Sequence, residues 1–293
     1  MRIILLTGIS GSGKSVGLNA LEDAGYFCVD NLPPSLLRAL VETRLSEGPE
    51  NLAVAVDARS ATSLSELPVD ISWLRDQGHH VEVIFLTAKT ESLINRFSET
   101  RRSHPLSHRI APDAQPSDIP TLVECIWQER EMLSAIEGLG HLIDTSGLSA
   151  NQLRAWIKEL VQKDSQQLSL LFESFAFKFG VPLDADLVFD VRVVPNPFYD
   201  KTLRPMNGKD QPVVDFLKAQ PDAVNLLSDI RHFIERWLPA YQRDNRSYLT
   251  VAIGCTGGQH RSVFMVEQLA QHFKNQARVL IRHRELSHDN ERN

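Results

Sequence analysis

Cysteine is scarce in this chain. Its three copies, Cys28, Cys125 and Cys255, show no C-x-x-C spacing, which excludes a disulfide framework and a zinc site of the usual ligand pattern. No apolar run approaches the length that spans a bilayer, so a membrane location is not expected. The first residues enter a strand-like run without a basic region or a cleavage site. They do not read as a signal peptide, and the cytoplasm is the expected location. Positive charge is also in short supply. A formal net charge of −6 argues against a chain-wide electrostatic grip on nucleic acid. From Lys274 to Asn293 the balance turns to +2, with Lys274, Arg278, Arg282, Arg284 and Arg292 opposing Glu285, Asp289 and Glu291. That stretch reads either as a solvated polar tail or as a local RNA-binding patch.

What the chain does have is length and apolar content. Its 293 residues suit two domains, and 42% hydrophobic residues allow a sizeable core. Residues 8 to 15 read Gly8-Ile9-Ser10-Gly11-Ser12-Gly13-Lys14-Ser15, a complete G-x-x-x-x-G-K-S phosphate loop. Ile3 to Leu6 before it form a strand-like run; Val16, Leu18 and Leu21 after it fall at helical spacing, and Gly25 is placed to end that helix. Backbone N–H groups of such a turn surround a triphosphate at a helix N-terminus, where the helix dipole favours negative charge. Lys14 would reach the β- and γ-phosphates, and the Ser15 hydroxyl would ligate Mg²⁺.

The first half alternates strand-like and helix-like segments, the signature of a parallel sheet with crossover helices. Expected strands are Tyr26–Val29, Leu52–Val56, Val81–Leu86 and His141–Ile143, with helices through about Leu45, from near Thr90, and around Leu153, Trp156, Ile157 and Leu160. Ligands in such folds collect at the carboxyl ends of the strands, where Asp30, Asp57 and Thr145 also fall. Asp57 occupies the position of a carboxylate that holds Mg²⁺ through water. Thr100 to Pro120, with Arg101, Arg102, Ser103, His104, Pro105 and Arg109, has the composition of a mobile lid or of a solvated basic loop.

A polar break at Lys163 to Gln167 places the domain boundary near residue 165, giving domains 1–164 and 165–293. The second reads as a smaller α/β domain. Its expected strands are Leu168–Lys178, alternating around Glu173, then Leu187–Val194, Tyr248–Ile253 and Arg278–His283; helices are expected at Pro212–Leu217, Ala223–Trp237 and Val263–Phe273. Between the third strand and the last helix lies Gly254-Cys255-Thr256-Gly257-Gly258-Gln259-His260-Arg261-Ser262. Glycines permit close backbone approach, successive N–H groups form an anion nest, and Arg261 offers a bidentate fork. An oxyanion site at Thr256, Gly257, Gly258, His260, Arg261 and Ser262 is the expectation. Cys255 and Arg261 also have the C-x-x-x-x-x-R spacing of cysteine phosphatases, against which stands the reading of Cys255 as a small buried apolar residue. Asp190, Arg192, Asn196 and Arg204 sit in neighbouring turns. They either pair locally or converge on the glycine loop.

The strings GISGSGKS, CVDNLPP, VDARS, FSETRRSHPL, FESFAFKFG, VFDVRVVPNP, LRPMNG and NRSYLTVAIGCTGGQHRS together resemble the RapZ/YvcJ family of bacterial nucleotide-binding proteins, from Met1 to about Arg284. The resemblance implies a P-loop kinase-like N-terminal domain that binds and slowly hydrolyses ATP and GTP. It places ATP at Gly8 to Ser15 and GTP at Asp57, Ala58, Arg59 and Ser60. One branch acts as an adapter presenting a small RNA to an endoribonuclease, with a C-terminal domain that senses glucosamine 6-phosphate and binds RNA, and such members are oligomeric. This chain departs from that branch at Phe198-Tyr199, where the branch has a histidine, and in its weakly basic tail. The competing functions are a small-molecule P-loop kinase and a phosphatase built on Cys255.

Overall fold

The computed structural model describes residues 1–48, 51–56, 66–108, 120–161, 168–243 and 248–286. It divides into two compact units, Met1–Asp164 and Ser165–Asn293.

The first unit is built on a five-stranded sheet of β1 (Arg2–Gly8), β2 (Phe27–Val29), β3 (Leu52–Ala55), β4 (His80–Thr87) and β5 (His141–Asp144). All pairings are parallel, in the order β2-β3-β1-β4-β5, with Ile3 opposite Leu52 on one side and Val81 on the other. Parallel sheets need cover on both faces, which explains the unbroken apolar run in β1. Ile3, Ile4, Leu5 and Leu6 are all at most 1% exposed, each worth roughly 1.5–3 kcal/mol of burial.

The cover comes from α1 (Lys14–Glu22), α2 (Leu37–Glu47), α3 (Leu67–Asp76), α4 (Thr90–Thr100), α5 (Leu122–Glu137) and α6 (Ala150–Val161). Sequence reading did not place α3 or α5. The α5 stripe of Ile126, Leu133 and Ile136 is broken by a glutamate, Glu129, that is itself buried. Its N-terminus carries a capping box, with Thr121 and Glu124 each bonding the other's backbone N–H. Arg101 and Arg102 are exposed, in keeping with a basic loop, yet His104 and Leu106 in the same segment are buried. The reading of Thr100–Pro120 as a lid rather than core therefore fails for residues 104 to 106. Arg109 lies outside the described residues.

The second unit has a four-stranded parallel sheet, β6 (Ser169–Ala176), β7 (Leu187–Asp190), β8 (Tyr248–Cys255) and β9 (Arg278–His283), in the order β7-β8-β6-β9. Helices α7 (Gln211–Lys218), α8 (Pro221–Arg243) and α9 (Arg261–Phe273) pack on Leu170, Phe172, Leu249, Val251 and Ile253. Two expectations are corrected. The strand expected over Leu168–Lys178 with alternation around Glu173 is β6, which ends at Ala176 and is buried along its full length, so Glu173 and Ser174 are interior groups. β7 ends at Asp190 instead of Val194, because the chain turns there and Val194 N–H bonds Val191 O. Among the described residues, no helix is long and apolar enough to cross a membrane.

Candidate functional site

In the first unit the loop leaving β1 is held by contacts within the protein. Gly8 has φ +134°, and a β-carbon there would stand 2.0 Å from Leu86 O on β4, so no side chain fits. Ile9 N–H donates to that same carbonyl. The Lys14 ammonium donates to Gly8 O at 2.7 Å, folding the side chain back across the loop. Other carbonyls of the turn also accept from side chains. The Arg96 guanidinium donates to Gly11 O at 3.0 Å and to Thr145, whose hydroxyl bonds Ser12 O at 2.9 Å. Of the loop's N–H groups, those of Ile9, Ser10 and Ser12 bond Leu86 O, the Glu129 carboxylate and Ile9 O, respectively. Ser15 is exposed on the first turn of α1.

Sequence reading missed Arg96 and Glu129. Arg96 sits on α4 with nothing in its spacing to mark it; burial lowers the pKa of its guanidinium, offset in part by Asp144 and Glu99. Glu129 was findable as the carboxylate interrupting an apolar helical stripe. It is 1% exposed and accepts from Ser10 N–H (2.8 Å), Ser10 Oγ (2.7 Å) and His104 Nε2 (3.1 Å). Burial pushes its carboxyl up, but His104, Lys14 and Ser10 outweigh burial and hold it below the ordinary glutamate value.

For Mg²⁺, the residues that can be placed are compatible with a nucleotide-borne ion. Mg²⁺ keeps several waters and takes one or two protein oxygens, and the Ser15 hydroxyl, which is exposed, would be one of them. Asp57, Ala58, Arg59 and Ser60 lie outside the described residues. No group of three or more His, Cys, Asp or Glu able to hold a metal occurs among the described residues.

In the second unit the glycine loop connects β8 to α9. Gly258 has φ +72°, and a β-carbon on it would fall 2.3 Å from Cγ of Glu285. Its N–H donates to Cys255 Sγ at 3.2 Å, and the thiol also meets Ser262 Oγ at 3.2 Å. Cys255, at 3% exposure, is thus the inner hub of the loop. Arg261 is 4% exposed; its Nη1 donates to Arg192 O (2.9 Å) and Val194 O (3.0 Å) and its Nη2 to Thr256 Oγ1 (3.2 Å). Its buried Nε has no hydrogen-bond partner among the described residues. His260 Nε2 bonds Leu203 O at 3.2 Å, and burial lowers its pKa, offset in part by carbonyls of the 203–206 turn.

The structure brings Thr256, Arg261 and the Arg192–Val194 backbone together, but not every named side chain. The Arg192 guanidinium pairs with Asp190 at 2.7 Å and lies over the Phe177 ring. The Asn196 side chain accepts from Phe198 N–H, and Arg204 bonds Phe198 O while stacking on its ring. Local pairing therefore accounts for Asp190, Arg192, Asn196 and Arg204 in this conformation. The tail patch is corrected too. Arg282 is 8% exposed and pairs with Glu173 and Asp184, and Arg284 lies toward the same Glu173, so two of its four leading cations face inward. His288, Asp289, Glu291 and Arg292 are outside the described residues.

Comparison with known proteins agrees along the length of the chain. Residues 1–165 match the family model described as the RapZ-like N-terminal domain, and residues 168–287 match that of the RapZ C-terminal domain. A "Nucleotide-binding protein" of Janthinobacterium sp. (strain Marseille) is 70% identical over 286 residues, covering 98% of this chain and 100% of that protein. Another of that name, from Paraburkholderia phymatum, is 57% identical over 285 residues, covering 97% of this chain and 96% of that protein. A solved shikimate kinase from Bacteroides thetaiotaomicron is similar at 15% identity and a TM-score of 0.36, covering 55% of this chain and 97% of that one.

Proposed function

As the chain belongs to the RapZ family, we propose that it is a regulatory protein whose N-terminal unit binds ATP or GTP with Mg²⁺. The observation that carries this reading is the complete phosphate-loop turn, in which Lys14 bonds Gly8 O while Arg96 and Thr145 bond the Gly11 and Ser12 carbonyls. The relatives named as nucleotide-binding proteins support it. Lys14 places a point charge on the β- and γ-phosphates, and Ser15, with Asp57, holds Mg²⁺.

Turnover in this reading is slow. Glu129, the carboxylate bonded to the loop, already accepts three hydrogen bonds and is stabilised as an anion, which makes it a weak base toward water. The C-terminal unit binds the phosphate of an amino sugar such as glucosamine 6-phosphate through Thr256, Gly257, Gly258, Arg261 and the first turn of α9. Family resemblance extends the reading to a homo-oligomeric adapter for a small RNA and an endoribonuclease. Since Arg282 and Arg284 face inward, any RNA contacts come from other residues.

The decisive experiment is Lys14→Ala, read by nucleotide titration and phosphate release. The expected result is at least a tenfold loss of affinity and no hydrolysis, since the charged partner of the phosphates is gone. Unchanged binding and turnover would overturn the reading. Transfer of the γ-phosphate to an added metabolite would replace it with a small-molecule kinase.

A further inference from the structure

We infer that His104 and Glu129 are positioning residues that fasten the Arg101–Arg102 segment to the phosphate loop, so that a nucleoside triphosphate in the loop also fixes those two arginines. The inference rests on the nucleotide reading of the N-terminal unit.

The connection is an unbroken run of hydrogen bonds with a defined direction. Leu106 N–H donates to His104 Nδ1 at 3.2 Å, which requires a lone pair on Nδ1. The proton of the neutral ring then sits on Nε2, which donates to Glu129 Oε2 at 3.1 Å. The same oxygen accepts from Ser10 N–H, and the other accepts from Ser10 Oγ. Ser10 is the third residue of the phosphate loop. His104 and Glu129 are 2% and 1% exposed, so water does not substitute for either partner.

Packing runs parallel to the bonds. The rings of Phe97 and His104 lie 5.3 Å apart, and Phe97 is also what a β-carbon on Gly11 would touch first, at 3.1 Å. Helix α4 ends at Thr100, and Arg101 after it takes the left-handed conformation, φ +52°, that a β-carbon disfavours. Anchoring of His104 three residues later holds that turn and leaves both Arg101 and Arg102 exposed.

On the nucleotide reading, phosphate engages Lys14 and the turn that Ser10 belongs to, so shifting Ser10 off Glu129 would move that turn and cost ligand contacts. The ligand consequently favours the fastened arrangement, and this difference in affinity couples the two places.

The test is limited trypsin digestion of the full chain, with cleavage after Arg101 and Arg102 followed by mass spectrometry, with and without Mg²⁺ and a non-hydrolysable ATP analogue. In the wild type the analogue should slow that cleavage about tenfold. His104→Ala should bind the analogue within about threefold of wild type yet be cut at the same rate with or without it. Glu129→Leu, of similar size, should lose protection as well, because it offers no acceptor to Ser10 or to His104. In the double variant protection should fall no further than in either single one. Full protection in both single variants, or wild-type binding without protection, overturns the inference while leaving nucleotide binding intact. Failure of the wild type to bind the analogue overturns both.

Discussion

Arg261 donates from Nη1 to the carbonyl of Val194 at 3.0 Å, pinning the turn that leaves β7 to the first residue of α9. The side chain most suited to an anion is therefore also a structural clamp. Its donors are divided between two carbonyls and Thr256, and its buried Nε has no partner among the described residues.

Replacing Arg261 should have two separable effects. Arg261→Ala leaves the buried Val194 carbonyl unsatisfied, a loss of roughly 1–3 kcal/mol for that group alone. Thermal unfolding should register it without ligand, and calorimetry should show weaker binding of glucosamine 6-phosphate. Arg261→Lys keeps the charge but not the planar fork, so it should recover part of the binding and little of the stability. Unchanged unfolding in both variants would refute the clamp.

The cysteines should prove inert in the folded protein. Burial, and after it Glu22, raises Cys28 to about 11, and burial raises Cys125. Cys255 is enclosed by Gly258 N–H and Ser262. A thiolate-specific reagent at neutral pH should modify the three thiols slowly until denaturant is added. Cys255→Ser should keep sugar-phosphate binding. Rapid labelling of Cys255, or a phosphatase activity lost in Cys255→Ser, would revive the phosphatase reading.

Much of this architecture is legible in the sequence because parallel strands are buried on both faces and the phosphate loop has fixed spacing. Ile3–Leu6 and the Gly8–Ser15 string needed no tertiary information. Glu129 illustrates what does: its acceptors are used by Ser10 and by His104, residues 119 and 25 positions away, and no local pattern encodes that meeting. The misjudged Arg282 and Arg284 have the same cause. A basic residue near a terminus reads as solvated until β9 is seen to pair beside Glu173 on β6.

Acid should weaken the C-terminal unit in a particular window. Burial lowers His260, offset in part by carbonyls, and burial lowers His283, offset in part by Glu267. Both stay neutral in the folded state at pH values where the unfolded chain, with histidines near 6.5, has taken up protons. Their contribution is complete above about pH 6.5 and is lost as pH falls from there through the folded values. Glu267, whose folded value is depressed, adds a second loss only below about pH 4.5. Urea midpoints should fall between pH 7.5 and 5.5 and fall again below 4.5. A flat midpoint across the first interval would contradict the histidine assignment.

Structural and RNA-facing cations in the tail are separable by substitution. Glu173 is fully buried, with Arg282 at 3.3 Å and Arg284 at 3.9 Å. Removing one partner of a buried pair leaves an uncompensated charge, at a cost of about 3–5 kcal/mol. Arg282→Ala should therefore lower the unfolding temperature strongly, whatever it does to RNA. Truncation after Phe273 would remove β9 from its pairing with β6 and is a poor probe of nucleic-acid binding for that reason. Lys274→Gln is the informative variant, since Lys274 lies just beyond the end of α9 with its side chain exposed. If Lys274 contacts phosphate, the log–log salt slope for single-stranded RNA should shrink by about 0.7 in that variant with stability unchanged. A slope that stays the same in Lys274→Gln, beside full stability in Arg282→Ala, would contradict both the inward pairing and the tail contact.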